Sequence, residues 1–138
     1  MSRYLYRAKT RLIVGTYNFG KEDGEWVKGY LYCDTGRWMI KQFEFDRADH
    51  LDYEVDPSTI CQCTGLKDKN ETLIFENDIA WDSEERKFYK IIFSQEDMCY
   101  YVQDADGYKH TFESYYGSSI EVESNIFDNP ELLEVDNA

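Results

Sequence analysis

Three groups of residues in this chain have the types and spacing from which chemistry could be built. Cys61-Gln62-Cys63 places two thiols two positions apart, and on an extended strand both would point to one face. A structural zinc site needs four ligands, usually as two closely spaced pairs. The remaining candidates, Cys33, Cys99, His50 and His110, form no such pair, so no metal site is expected. Two adjacent-face thiols are then read as small apolar side chains against a core or interface, and a disulfide within C-x-C is disfavoured by geometry. His50 and His110 are the only histidines. A general base would need a nucleophile and an orienting carboxylate beside it, and no such motif accompanies either; His110 reads as a half-buried strand residue. Asp104-Ala105-Asp106-Gly107 has the start of a calcium loop, but position twelve is Tyr115 rather than Glu, so a hairpin turn is expected instead.

No G-x-x-x-x-G-K-[ST] and no G-x-G-x-x-G occurs, which leaves no phosphate cradle. The sequence therefore predicts no catalytic residue, no cofactor and no metal. Enzymatic activity is not expected.

The elements that would position any site read as strands. Aromatic residues reach 17% of the 138 residues, with twelve Tyr, eight Phe and three Trp, a composition that fits pleated, half-buried surfaces. Strands are predicted at Arg11–Phe19, Glu25–Tyr32, Arg37–Phe45, Thr59–Thr64, Leu73–Phe75, Ile79–Trp81, Lys87–Ser94, Met98–Gln103, Tyr108–Phe112 and Ile120–Val122, after a short apolar start at Tyr4–Tyr6. Cys33-Asp34-Thr35-Gly36 is a hairpin signal between two of them. Asp46–Asp56 is charged and reads as a loop. Asp56-Pro57 and Asn129-Pro130 each read as an N-cap followed by Pro at the first position of a helical turn, with Glu131 favourable at the second. Val135–Ala138 reads as a frayed tail. Turn signals every 8–12 residues predict a small barrel or sandwich. The Asp46–Asp56 stretch is the expected junction between subdomains 1–50 and 51–138.

The net charge is −13 and unevenly spread: residues 1–43 carry +4 and the remainder −17. Its first meaning is a solvated acidic surface. It also permits head-to-tail self-association, or a basic patch facing an acidic partner. Nucleic-acid binding is disfavoured overall, because phosphate neutralisation supplies most non-specific affinity. The basic N-terminal third, interleaved with aromatic residues, keeps it as the alternative, as does mimicry of a nucleic-acid backbone by the acidic, Tyr-rich remainder. Arg3, Arg7, Arg11, Trp26 and Tyr30 form the candidate partner surface. The first residues lack the sustained apolar run of a signal peptide, and no stretch approaches the ~20 apolar residues of a membrane span. A cytosolic protein with reduced thiols is expected.

Four ordered pieces of the chain resemble the YopX family of phage and prophage proteins. They are Gly24-Glu25-Trp26-Val27-Lys28-Gly29-Tyr30-Leu31; Asp56-Pro57-Ser58-Thr59-Ile60; Thr64-Gly65-Leu66-Lys67-Asp68-Lys69-Asn70 leading to Ile74-Phe75-Glu76-Asn77-Asp78-Ile79; and Asn125 to Leu133. The Thr64–Asn70 piece is the specific one. Glu71, Asn77 and Ser124 stand where the family carries Gly. Asn77 tolerates positive φ and can keep its turn; Glu71 does so less easily, so a changed turn shape is expected at Lys67–Thr72. Gly65, Asp78 and Pro130 are structural signature residues, with Asp78 expected to bond backbone donors of the following turn. The resemblance implies a mainly β protein: a small SH3-like or related barrel in the second half, an N-terminal β subdomain and short helical turns. It implies phage or prophage origin, a bacterial cytoplasm and self-association. It carries no catalytic residues to transfer, so a non-enzymatic homo-oligomer with an unknown protein partner is the expected function.

Overall fold

The computed structural model describes residues 4–11, 21–43, 50–111 and 119–134. It divides into two compact units, residues 1–63 and 64–138. Eleven strands lie in the described residues: β1 Tyr6–Lys9, β2 Trp26–Asp34, β3 Arg37–Phe43, β4 His50–Glu54, β5 Cys61–Lys67, β6 Leu73–Phe75, β7 Asp78–Asp82, β8 Lys87–Ser94, β9 Cys99–Asp104, β10 Lys109–Thr111 and β11 Ile120–Asn125. Two short 3-10 turns lie wholly within the described residues, Pro57–Thr59 and Pro130–Leu133. Neither is long and apolar enough to cross a membrane. The mainly β expectation holds.

In the first unit the antiparallel order is β4-β3-β2-β1-β5. Alternation builds its core: Ala8, Val27, Ile40, Tyr53 and Val55 are buried together, with Tyr6, Leu31, Leu51 and Ile60 packed against them. The β2–β3 hairpin turns on Thr35 and Gly36, at φ +48° and +82°. Both central residues at positive φ match the twist of the strands they join, and Asp34 meets Arg37 across the hairpin's end at 3.4 Å.

β4 corrects the loop expected at Asp46–Asp56. Tyr53 and Val55 are buried at 1% exposure while Asp52 and Glu54 alternate with them, and Ile40 pairs with Tyr53 in register. The charges concealed a period-two pattern. Residues 44–49 lie outside the described residues, as do 12–19 of the strand expected at Arg11–Phe19, Phe112, and the tail at 135–138. β4 pairs with β3, which keeps residues 50–54 in the first unit. The Asp56 cap is as expected: its carboxylate accepts from the Ser58 backbone N–H at 3.0 Å. Cys61 and Cys63 are buried, at 0% and 1% exposure, as read from their strand spacing.

The second unit holds an antiparallel sheet of order β10-β9-β8-β7-β11. Ile74, Ala80, Tyr89, Ile91, Val102 and Ile120 form its core. Its two ends, β10 and β11, are not paired, so among the described residues it is an open sheet and no closed barrel forms. β11 runs three residues beyond the expected Ile120–Val122, through an irregularity between Val122 and Ser124.

Two expectations about turns need correction. Asp78 bonds backward: its Oδ2 accepts from the Phe75 N–H at 2.7 Å, closing the β6–β7 connection that precedes it. Within the connection Asn77 takes φ +70° and its N–H donates to Ile91 O at 2.8 Å. Asn129 stands at the N-cap of the final helical turn as expected, but its side chain makes no capping bond; it instead accepts from Ser124 Oγ at 2.6 Å and donates to Glu131 at 2.8 Å.

Glu71 also departs from expectation, since it adopts the left-handed conformation at φ +63° despite its Cβ. The turn keeps its shape because Asp68 holds it: the Asp68 carboxylate accepts from the N–H groups on either side of Glu71, those of Asn70 and Thr72. Left-handed backbone costs a non-Gly residue about 1–2 kcal/mol. Glu71→Gly is therefore expected to raise stability by about 1 kcal/mol, after the larger backbone entropy of Gly is set against that strain. A urea titration of the two proteins would show it as a higher midpoint at unchanged slope; an unchanged or lower midpoint would contradict it.

Candidate functional site

The outward face of the first unit's sheet gathers cations and aromatic rings. On β1 the buried Ala8 faces inward, so Arg7 and Lys9 face outward. On β2 the inward residues are Val27, Gly29 and Leu31, which leaves Trp26, Lys28, Tyr30 and Tyr32 outward. Register brings the two rows together, with Arg7 opposite Lys28 and Lys9 opposite Trp26. The Arg7 guanidinium lies 4.9 Å from the Trp26 ring centroid and the Lys9 ammonium 5.4 Å. β3 adds Lys41 opposite Tyr30, its ammonium 5.6 Å from the Tyr32 ring. Tyr30 is half exposed and Lys28 exposed.

Residues of one strand face spaced two apart stand ~6.6–6.8 Å from each other. Lysine ammonium groups thus alternate with rings across three strands, Lys28 exposed and Lys9 and Lys41 half-buried, while Nε and Nη2 of Arg7 are buried beside Trp26. The border of this face is acidic: Asp52 opposes Lys41, and Glu54 opposes Met39, on β4. Burial and the neighbouring Asp52 carboxylate push the Tyr32 phenol up, so this ring stays neutral and donates rather than adding charge.

Of the residues expected to form a partner surface, Arg7, Trp26 and Tyr30 share this face. Arg11 does not join them, because its guanidinium lies 3.6 Å from the Asp56 carboxylate. Arg3 lies outside the described residues. Lys9, Lys28, Tyr32 and Lys41 were not expected. The alternation of β2 carried the signal for Lys28 and Tyr32; Lys9 and Lys41 needed the cross-strand register.

The second unit uses its acidic residues differently. Five buried Asp and Asn side chains each close a turn. Asp68 accepts from Asn70, Thr72 and Val122; Asp78 from Phe75; Asp82 from Glu84 and Glu85; Asp104 from Asp106 and Tyr108; Asn125 from Phe127 and Asp128. The Asp104 loop is the hairpin turn expected for it. Among the described residues no three His, Cys, Asp or Glu side chains are grouped to hold a metal ion. Of the signature residues, Gly65 supplies positive φ, +83°, within β5, and Pro130 opens the final helical turn.

Burial works to raise the Asp104 carboxyl, but the N–H groups of Tyr108 and Asp106, with Lys87 and His110, hold it below its ordinary value. A lowered carboxyl contributes stability that is present above the unfolded value of about 3.9 and lost as pH falls through the folded one. Unfolding midpoints are expected to drop as pH is taken below about 4. Asp104→Asn should flatten that part of the profile; an identical profile in the variant would remove Asp104 from the account.

The YopX protein family model matches residues 18–134, most of the chain. The chain belongs to the YopX family. No curated protein matches it. Within this YopX chain, the match takes in the cation–aromatic strand β2, the Asp68 turn and the final helical turn, all of which lie between residues 18 and 134. Arg7 and Lys9, which complete the face on β1, precede it.

Proposed function

We propose that this YopX protein is a non-enzymatic, self-associating protein-binding module, a phage or prophage accessory protein working in the cytoplasm of a bacterial host. The observation that carries the reading is the outward face of β1–β3, where Arg7, Lys9, Lys28 and Lys41 stand among Trp26, Tyr30 and Tyr32. Aromatic and Arg side chains are the residues enriched in protein interfaces, and a cationic face selects acidic partners by charge. The acidic turn residues of the second unit support the same reading from the other side, since their buried carboxylates serve the backbone rather than a reaction.

A second reading is favoured by the same interleaving of cations and rings, which is how sequence-tolerant single-strand binders are built. The chain's net charge of −13 opposes it. Light scattering on the purified protein in about 0.15 M salt tests the first reading, and a mass above one chain is expected. A Lys28→Glu change should lower that mass; a one-chain mass for the wild type at high concentration would end the self-association reading. Retention of the protein on single-stranded DNA at low salt, lost on adding salt, would move the assignment to the second.

A further inference from the structure

We propose that the occupant of the cation–aromatic face is the acidic end of the second unit of another copy of this chain, so that copies join head to tail. The inference rests on the self-association reading and names the two surfaces that meet. Antiparallel order places the β7–β8 and β9–β10 turns at the same end of the second unit's sheet. That end carries Glu84 and Glu85 in one turn and Asp106 in the other, all exposed. Glu134 joins them: it borders the same 280 Å³ hollow as Arg86 and Asp106. Of the two cations lining that hollow, Lys87 is held by the buried Asp104 at 3.8 Å, which leaves Arg86 beside four exposed carboxylates.

These carboxylates are presented on rigid backbone. Asp82 Oδ1 accepts from the N–H groups of both Glu84 and Glu85, and Asp104 fixes the turn that carries Asp106. The first unit offers the complement on β1–β3, with Lys28 exposed and Lys9 and Lys41 half-buried beside it; the Arg7 guanidinium, whose Nε and Nη2 are buried, backs them from beneath the surface. The charge imbalance has the same sense. Residues 1–63 hold nine basic and ten acidic residues, whereas 64–138 hold six and eighteen. Two copies of charge −13 repel at long range, but at 0.15 M salt that repulsion is screened beyond about 8 Å while close pairs are screened less. Two different surfaces meeting make a heterologous contact, which closes into a ring or continues as a filament.

Two charge-reversed proteins test this. Lys9→Glu with Lys28→Glu removes the cationic face; Glu84→Lys with Glu85→Lys removes the acidic end. Circular dichroism and urea midpoints check that each is folded, and Lys28→Gln replaces the first pair if it is not. By light scattering in about 0.15 M salt, each variant alone is expected at the mass of one chain. Their equimolar mixture is expected at two chains and no more, because only one intact contact can form. A mixture that stays at one chain overturns the proposal. So does assembly that survives in the Glu84/Glu85 variant while the Lys9/Lys28 variant loses it; the face would then pair with itself, and the self-association reading would stand. A wild type that is one chain in mass removes that reading and this proposal together.

Discussion

Replacing Asp68 with alanine is expected to destabilise the second unit by about 3–5 kcal/mol, since a buried donor left without its partner costs about 1–3 kcal/mol each. Asp68 is 5% exposed. Its Oδ1 accepts from Asn70 and Thr72 at 2.8 and 2.9 Å, and its Oδ2 from Val122 at 2.8 Å. The first two bonds hold the turn in which Glu71 sits at positive φ. The third ties that turn to β11, more than fifty residues away in sequence, beside the bond from Lys69 N to Ile120 O. Alanine therefore strands three donors at once and frees a strained turn. Three partially rehydrated donors will not cost three full penalties, which sets the range below the simple product. Asp68→Asn keeps one carbonyl acceptor and should lose less. The comparison is a urea titration of the three proteins, and a loss for alanine below about 1 kcal/mol, the ordinary cost of one hydrogen bond, would show that water replaces the carboxylate.

Gly29→Ala is expected to cost about 3 kcal/mol, at the upper end of what overpacking usually takes. A Cβ on Gly29 would be driven into the Lys41 carbonyl oxygen, with Lys41 C at 2.8 Å and Ile40 Cγ2 at 3.0 Å. The obstacle is backbone of β3, which cannot rotate aside as a side chain would. β2 and β3 must separate, and with them Lys28, Tyr30 and Lys41, so self-association should fall together with stability. Lys28→Ala, on the exposed side of the neighbouring position, should leave stability within about 0.5 kcal/mol. Amide exchange would place the damage: faster exchange across Leu31 and Ile40 is expected, and protection unchanged there would mean that the backbone absorbs the methyl group elsewhere.

Much of the fold was legible because strands leave a local pattern. Val27, Gly29 and Leu31 against Trp26, Lys28 and Tyr30 is alternation readable in one strand. The hairpin at Thr35-Gly36 was readable from its turn residues, and Asp104 as a turn former from its neighbours. β4 was hidden because Asp52 and Glu54 flank Tyr53, the buried side chain of that short strand. The direction of the Asp78 bond was hidden because an Asx side chain can serve donors on either side.

By itself, the sequence determined a mainly β chain of the YopX family, with strands placed by alternation and turns by Asp, Asn and Gly, all properties of residues near one another in the chain. Only the tertiary structure decided that Arg7 and Lys9 stand against Trp26, that Lys41 stands beside Tyr30 and Tyr32, and that Asp68 holds Val122. Those meetings depend on which strands pair and in what register, and register is settled by burying one face of every strand at once rather than by any segment alone.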